Sequence, residues 1–140
     1  KEGFLRALRD SQKHDLKPFF IEFGNHRNLE EQLSIFLSNS KIDGILAADD
    51  FSGNLALKLI GKIGYKIPEE ISVMTLTDNS SEQSLNPNLS VTSNKGEDVG
   101  LKAFHLLRNR LINANAKINH VVMNPEVILR DTTNSIQHKL

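Results

Sequence analysis

Apolar positions along this chain recur in two periods, and the alternation between them sets out the elements. Phe4, Leu5 and Leu8 share a helical spacing, which predicts a first helix running to about Ser11 and ended by the charged stretch 12–17. Residues 18–23 form a short apolar run between Pro18 and Gly24, the pattern of a buried strand. Asn28 with Glu31 three positions on makes a capping-box pattern, and Leu29, Leu33, Phe36 and Leu37 supply one apolar face of the helix behind it. A second strand is predicted at 44–48, ended by Asp49 and Asp50. A third helix carries Leu55, Leu59, Ile60 and Ile63, with Gly64 placed to stop it. Pro68 lies in a turn, residues 71–76 read as a third strand, and 77–87 as a polar loop.

The second half is less regular. Residues 89–92 make a brief strand or crossing segment. Asn94 and Glu97 repeat the capping-box pattern ahead of a long helix to about Leu111, whose expected buried residues are Val99, Ala103, Leu106, Leu107 and Leu111. Two short strand pieces, 120–123 and 126–129, flank Pro125, and the tail from Asn134 is polar. Strands alternating with helices predict an α/β fold: a parallel sheet with helices on both faces, in three layers.

Composition narrows the function. At 140 residues the chain fits one ordinary domain. Seventeen basic and seventeen acidic residues cancel, and the isoelectric point is 7.2, so this segment lacks the basic surface of a module that grips phosphates by itself. There is no cysteine, which removes disulfides, thiolate catalysis and cysteine-bound metal, and which fits a reducing cytoplasm. No apolar run reaches the roughly 18 residues of a membrane span, and no signal peptide opens the chain. A chain that opens in mid-helix without a cap reads as a piece cut from something longer.

In open parallel sheets, ligands bind beyond the carboxyl ends of the strands. Those ends carry Gly24, Asn25 and His26; Asp49 and Asp50; and Thr77, Asp78 and Asn79. Carboxylate, amide and imidazole groups at one rim suit a polyhydroxylated ligand, whose hydroxyls both donate and accept. Each residue also has a plainer reading. Asp50 fits an N-cap of the third helix, and since two successive acids cannot both cap, Asp49 is left to face a ligand. His26 fits a solvated loop, Asn28 and Asn94 fit caps, and Asp78 and Asn79 fit a turn. No catalytic set emerges. The five histidines lack metal spacing, no nucleophile elbow or glycine-rich phosphate loop is present, and adjacent Asp49 and Asp50 would point to opposite faces of a strand. An enzyme, a cofactor and a metal are therefore not expected.

These residues resemble the LacI/GalR family of transcriptional regulators. Asp43-Gly44-Ile45-Leu46-Ala47-Ala48-Asp49-Asp50 and the following helix resemble the family's A-I-x-A-x-N-D-x-x-A-x-G-x-x-x-A-L segment. Gly64-Tyr65-Lys66-Ile67-Pro68-Glu69-Glu70-Ile71-Ser72-Val73 resembles G-x-x-V-P-x-D-I-S-V-V-G-F-D-D. Gly3, Phe4 and Leu8 resemble the R-x-x-G-F-x-x-A-L helix. Pro87 to Val91 is similar to P-P-L-T-T-V, Gly100 stands where the next family helix has glycine, and Pro125 to Thr133 resembles P-x-x-L-V-x-R-x-S-T.

The resemblance implies a periplasmic-binding-protein-like sensor of type I, incomplete at its amino terminus, with an effector in the cleft between two α/β subdomains. Residues 1–88 would belong to the carboxy-terminal subdomain and 89–118 to a crossover and a helix of the amino-terminal one. Residues 119–133 would return, and 134–140 would form a tail. The implied effector contacts are His26, Asp49, Thr77, Asn94 and Gly96. Asp49 stands where the family has Asn, His26 where it has an aromatic, and Thr77 where it has Asp; the family's effector-binding Arg would precede Lys1. Asn54 and Leu85 map to an isologous homodimer face. The implied function is sensing and dimerisation in a cytoplasmic regulator that binds a sugar or phosphosugar. It would contact operator DNA only through a helix-turn-helix outside these residues and would have no membrane contact. The alternative is an extracytoplasmic sugar-binding protein for transport or chemotaxis, which would lack the 67–73 signature.

Overall fold

A computed structural model describes residues 1–11, 16–22, 28–76, 87–93, 95–113, 115 and 117–134. Its elements are α1 (Glu2–Asp10), α2 (Leu29–Asn39), β1 (Gly44–Ala47), α3 (Asp50–Ile63), β2 (Ser72–Thr75), β3 (Ser90–Ser93), α4 (Gly96–Ile112) and β4 (Glu126–Ile128). The strands form one sheet in the order β1-β2-β3-β4. β1 runs parallel to β2 with Ile45 opposite Val73 and Ala47 opposite Thr75, and β2 runs parallel to β3 with Thr75 opposite Val91.

The expected α/β architecture is present, with one difference. β4 is antiparallel to β3, placing Glu126 opposite Ser93. The chain leaves the sheet at the carboxyl end of β3 and returns at the same end, so the returning strand must run the other way.

The core lies on one face of the sheet. Leu29, Leu33 and Leu37 recur every four residues on α2 and meet Ala56, Leu59 and Ile60 of α3, which cover Ile71 and Val73. On the opposite face Leu46 stays 42% exposed, so among the described residues the helical layer seen on the sheet is that of α3 backed by α2. α3 stops where expected. Gly64 adopts φ +97°, and the amides of Gly64 and Tyr65 both donate to the Ile60 carbonyl. At its other end α3 lies so close to the sheet that only glycine fits: a Cβ on Gly53 would overlap Cγ2 of Thr75 and sit 3.0 Å from Cδ2 of Leu89.

Several local expectations fail for identifiable reasons. Residues 18–22 do not join the sheet, and Phe19 is 62% exposed. Their rings turn instead to helices, Phe19 edge-on to Phe36 and Phe20 edge-on to Phe4, while Lys1 pairs with Glu22 at 2.6 Å. Residues 120–123 form no strand, and Val122 is 88% exposed. They precede the point where β4 meets the end of β3, so β3 offers no ladder for them. The capping box at Asn28 does not form, because Asn28 itself is helical (φ −89°, ψ −10°) and its side chain makes no cap bond. The second box has its cap position at Lys95 instead, and Asn94 lies outside the described residues. None of the residues expected to be buried on α4 is buried; Leu107 and Leu111 are exposed. An apolar helix face is buried only where something packs on it, and no described element covers this one.

The sheet is closed between β2 and β3 by the turn that follows β4. Thr132 is fully buried there. Its hydroxyl donates to the Val73 carbonyl at 2.7 Å and accepts from the Ser90 amide at 2.8 Å, while its carbonyl accepts from the Val73 amide at 2.8 Å. Around it the Arg130 amide donates to Ser90 Oγ at 2.8 Å and the Arg130 guanidinium to the Leu89 carbonyl at 2.9 Å. The Asp131 carboxylate accepts from the Asn88 amide and side chain at 3.0 and 2.7 Å.

Two stability outcomes follow, both read by urea unfolding. Thr132→Val keeps the shape but strands a buried carbonyl and a buried amide, and it should cost about 2–4 kcal/mol, given roughly 1–3 kcal/mol for each unsatisfied buried group. Gly53→Ala should cost about 1–3 kcal/mol through overpacking, and adding Thr75→Ser, which removes Cγ2 and keeps the hydroxyl, should recover most of it.

Candidate functional site

The parallel register lays the carboxyl ends of β1, β2 and β3 side by side on one rim of the sheet. Of the sequence-derived site residues, Asp49 and Gly96 are on this rim, just beyond β1 and β3, with β2 between them. His26, Thr77, Asn94 and Leu85 lie outside the described residues. Asn54 is half-buried in the second turn of α3.

Asp49, not Asp50, caps α3. The extended backbone of β1 carries on through Asp49 (φ −148°, ψ 168°), which is the geometry a cap requires, and Asp50 is already the first helical residue. Asp49 Oδ1 accepts from the Ser52 amide at 2.8 Å and from the Ser52 hydroxyl at 2.7 Å. Ser52 is itself buried. The carboxylate is therefore held in one orientation at the strand end by a side chain that composition and spacing did not single out. The close seating of α3 at Gly53 fixes the depth at which this cap sits against the sheet.

At the far side of the rim, β3 ends in Ser93 and α4 opens at Gly96. Between them Lys95 takes the left-handed conformation (φ 46°, ψ 71°), its amide donates to Ser93 Oγ at 3.2 Å, and its ammonium pairs with the Glu126 carboxylate at 2.9 Å. The hydrogen bond to Glu126, and then that residue's charge, raise the Lys95 pKa. A raised lysine pKa means that the pair contributes fully below the ordinary lysine value and is lost only as pH rises through the higher folded one. It is therefore intact at neutral pH. Gly96 is exposed, and a Cβ there would meet nothing within 4 Å, so packing does not demand glycine.

Among the described residues the rim offers one fixed hydrogen-bond acceptor, the Asp49 carboxylate. No cluster of three or more metal-ligating side chains occurs among the described residues. No helix there is long and apolar enough to cross a membrane. An open groove lined by Phe20, Gln32, Ile35 and Phe36 includes none of the strand-end residues.

A family model for the periplasmic binding protein-like domain matches residues 1–133. The ribose operon repressor of Haemophilus influenzae is 25% identical over 140 residues, covering 97% of this chain and 42% of its own length. The HTH-type transcriptional repressor PurR of Vibrio vulnificus is 26% identical, covering 96% of this chain and 41% of its own. The chain thus spans about two-fifths of these relatives. Among solved structures, a periplasmic binding protein/LacI transcriptional regulator from Alkaliphilus metalliredigens, complexed with D-xylulofuranose, superposes with a TM-score of 0.75 at 26% identity. It covers 96% of this chain and 50% of that one.

Replacing Asp49 separates its structural role from any other. Asp49→Ala should lower stability by about 1 kcal/mol through loss of the cap, whereas Asp49→Asn, an equally good cap, should change it by less than about 0.5 kcal/mol in the same urea titration.

Proposed function

Because this chain belongs to the family of periplasmic binding protein-like domains, we propose that it is the effector-sensing and dimerising part of a LacI/GalR-type transcriptional regulator. The observation that carries this reading is the alignment of 96–97% of the chain with proteins that are transcriptional repressors. The same observation favours a regulator over an extracytoplasmic transport component, and a binding protein over an enzyme. A cytoplasmic location goes with that reading.

In this proposal residues 1–88 form one wall of an effector cleft, and α4 belongs to the opposite wall. The exposed apolar residues of α4 support the assignment, since they await a partner outside the described elements. His26, Asp49, Thr77, Asn94 and Gly96 line the cleft and bind a sugar or phosphosugar. Asp49 contributes an acceptor already fixed by Ser52, so that little conformational entropy is lost when a hydroxyl docks on it. Asn54 and Leu85 lie on a two-fold dimer face. Operator DNA is contacted by a helix-turn-helix outside this chain. Effector and operator then communicate because each favours one closure of the cleft, and the coupling is reciprocal.

The test uses the full-length regulator with a panel of pentoses, hexoses, disaccharides and their phosphates. An effector present at about a hundred times its Kd should stabilise the protein by roughly 2.7 kcal/mol and shift operator affinity in the same titration. Asp49→Asn should weaken that effector while leaving stability unchanged. Operator binding indifferent to the whole panel would falsify the reading.

A further inference from the structure

Two passages of the chain meet at one end of the sheet. The outgoing one leaves β3 at Ser93 and turns through Lys95 into α4; the returning one enters β4 at Glu126, directly opposite Ser93. α4 has no buried residue, so packing against the described elements does not set the angle at which it leaves. What sets it is the junction itself. Lys95 occupies a left-handed conformation that lysine adopts at a cost, and such a conformation persists only where its surroundings hold it. Two contacts do so here: the Lys95 amide on Ser93 Oγ, and the Lys95 ammonium on the Glu126 carboxylate at 2.9 Å. The first is local to the turn. The second joins the two passages across the 30 residues, 96–125, that α4 and its return occupy.

We propose that the Lys95–Glu126 ion pair is a latch across the outgoing and returning passages, one that fixes the angle of α4 against the sheet and loosens as ionic strength rises. Both partners are more than half exposed, so salt reaches them. The screening length falls from about 30 Å at 0.01 M salt to about 3 Å at 1 M. A latch of this strength biases an angle without locking it, which is what a hinge between two closures of a cleft requires. That last step rests on the reading that α4 belongs to the opposite wall; the latch itself does not.

The chain has no cysteine, so Lys62→Cys on α3 and Arg108→Cys on α4 place one spectroscopic label on each side of the junction. Distance distributions between the labels are measured in the full chain at about 0.01 M and about 1 M salt. Low salt should give one dominant distance. High salt, or Glu126→Gln at low salt, should raise the population at other distances about two- to five-fold, the scale of an exposed ion pair. The charge-swapped pair Lys95→Glu with Glu126→Lys should restore the dominant distance at low salt and guards against a folding defect in the single variant. Distributions that ignore both salt and Glu126→Gln would overturn the latch. Adding D-ribose and lactose to the same labelled protein separates the two proposals. A sugar-driven change without any salt or Glu126→Gln effect leaves the sensing reading standing and removes the latch. A salt or Glu126→Gln effect without any sugar-driven change keeps the latch, and the sensing reading stands or falls on the full-length regulator.

Discussion

Thr132 ties the two central strands of the sheet together through its hydroxyl and its carbonyl. β2 and β3 share only two residue pairs, and below them Val73 presents its amide and its carbonyl to a gap that no strand fills. Thr132 enters from the far end of the chain and satisfies both, while its oxygen takes the Ser90 amide as well. Buried backbone groups need partners, and a gap here would leave three of them unmet. The interaction therefore joins the last described turn to the two central strands. The bonds of Arg130 and Asp131 flank that docking on either side of Thr132.

What the sequence made legible is what a local period or a single residue type decides. α2 and α3 were readable because their apolar residues recur at helical spacing, and β1 and β2 because each is a short apolar run; Asp49 and Gly64 mark the ends of α3. Gly64 was readable as a stop because a left-handed residue after a helix is glycine's place. The failures share a cause: each concerns a residue whose role is set by a partner distant in sequence. Apolar spacing on α4 says that a face exists, and says nothing of whether the covering element is within these residues. Residues 18–22 have the composition of a strand, but Phe19 and Phe20 found rings on α2 and α1 instead of a ladder.

The candidate site divides the same way. Asp49 was legible as a strand-end acid, but not as the cap in preference to Asp50, because that choice turns on one residue's ψ. Ser52 and Lys95 carried no signal at all; a serine in a helix and a lysine before one are ordinary. Only the geometry shows the first orienting a carboxylate and the second holding a turn against Glu126.

Gly53 and Thr75 raise a different matter. Where the LacI/GalR motifs quoted above have alanine on the helix and glycine on the strand, this chain has Gly53 and Thr75. The two are in contact, and the space between α3 and β2 accommodates one side chain of that size, not two. Alanine beside threonine overfills that space, and glycine beside glycine leaves it underfilled. The two positions are therefore coupled, so that the residue tolerated at one depends on the residue held at the other. A single van der Waals contact thus turns two positions on different elements into one unit of substitution.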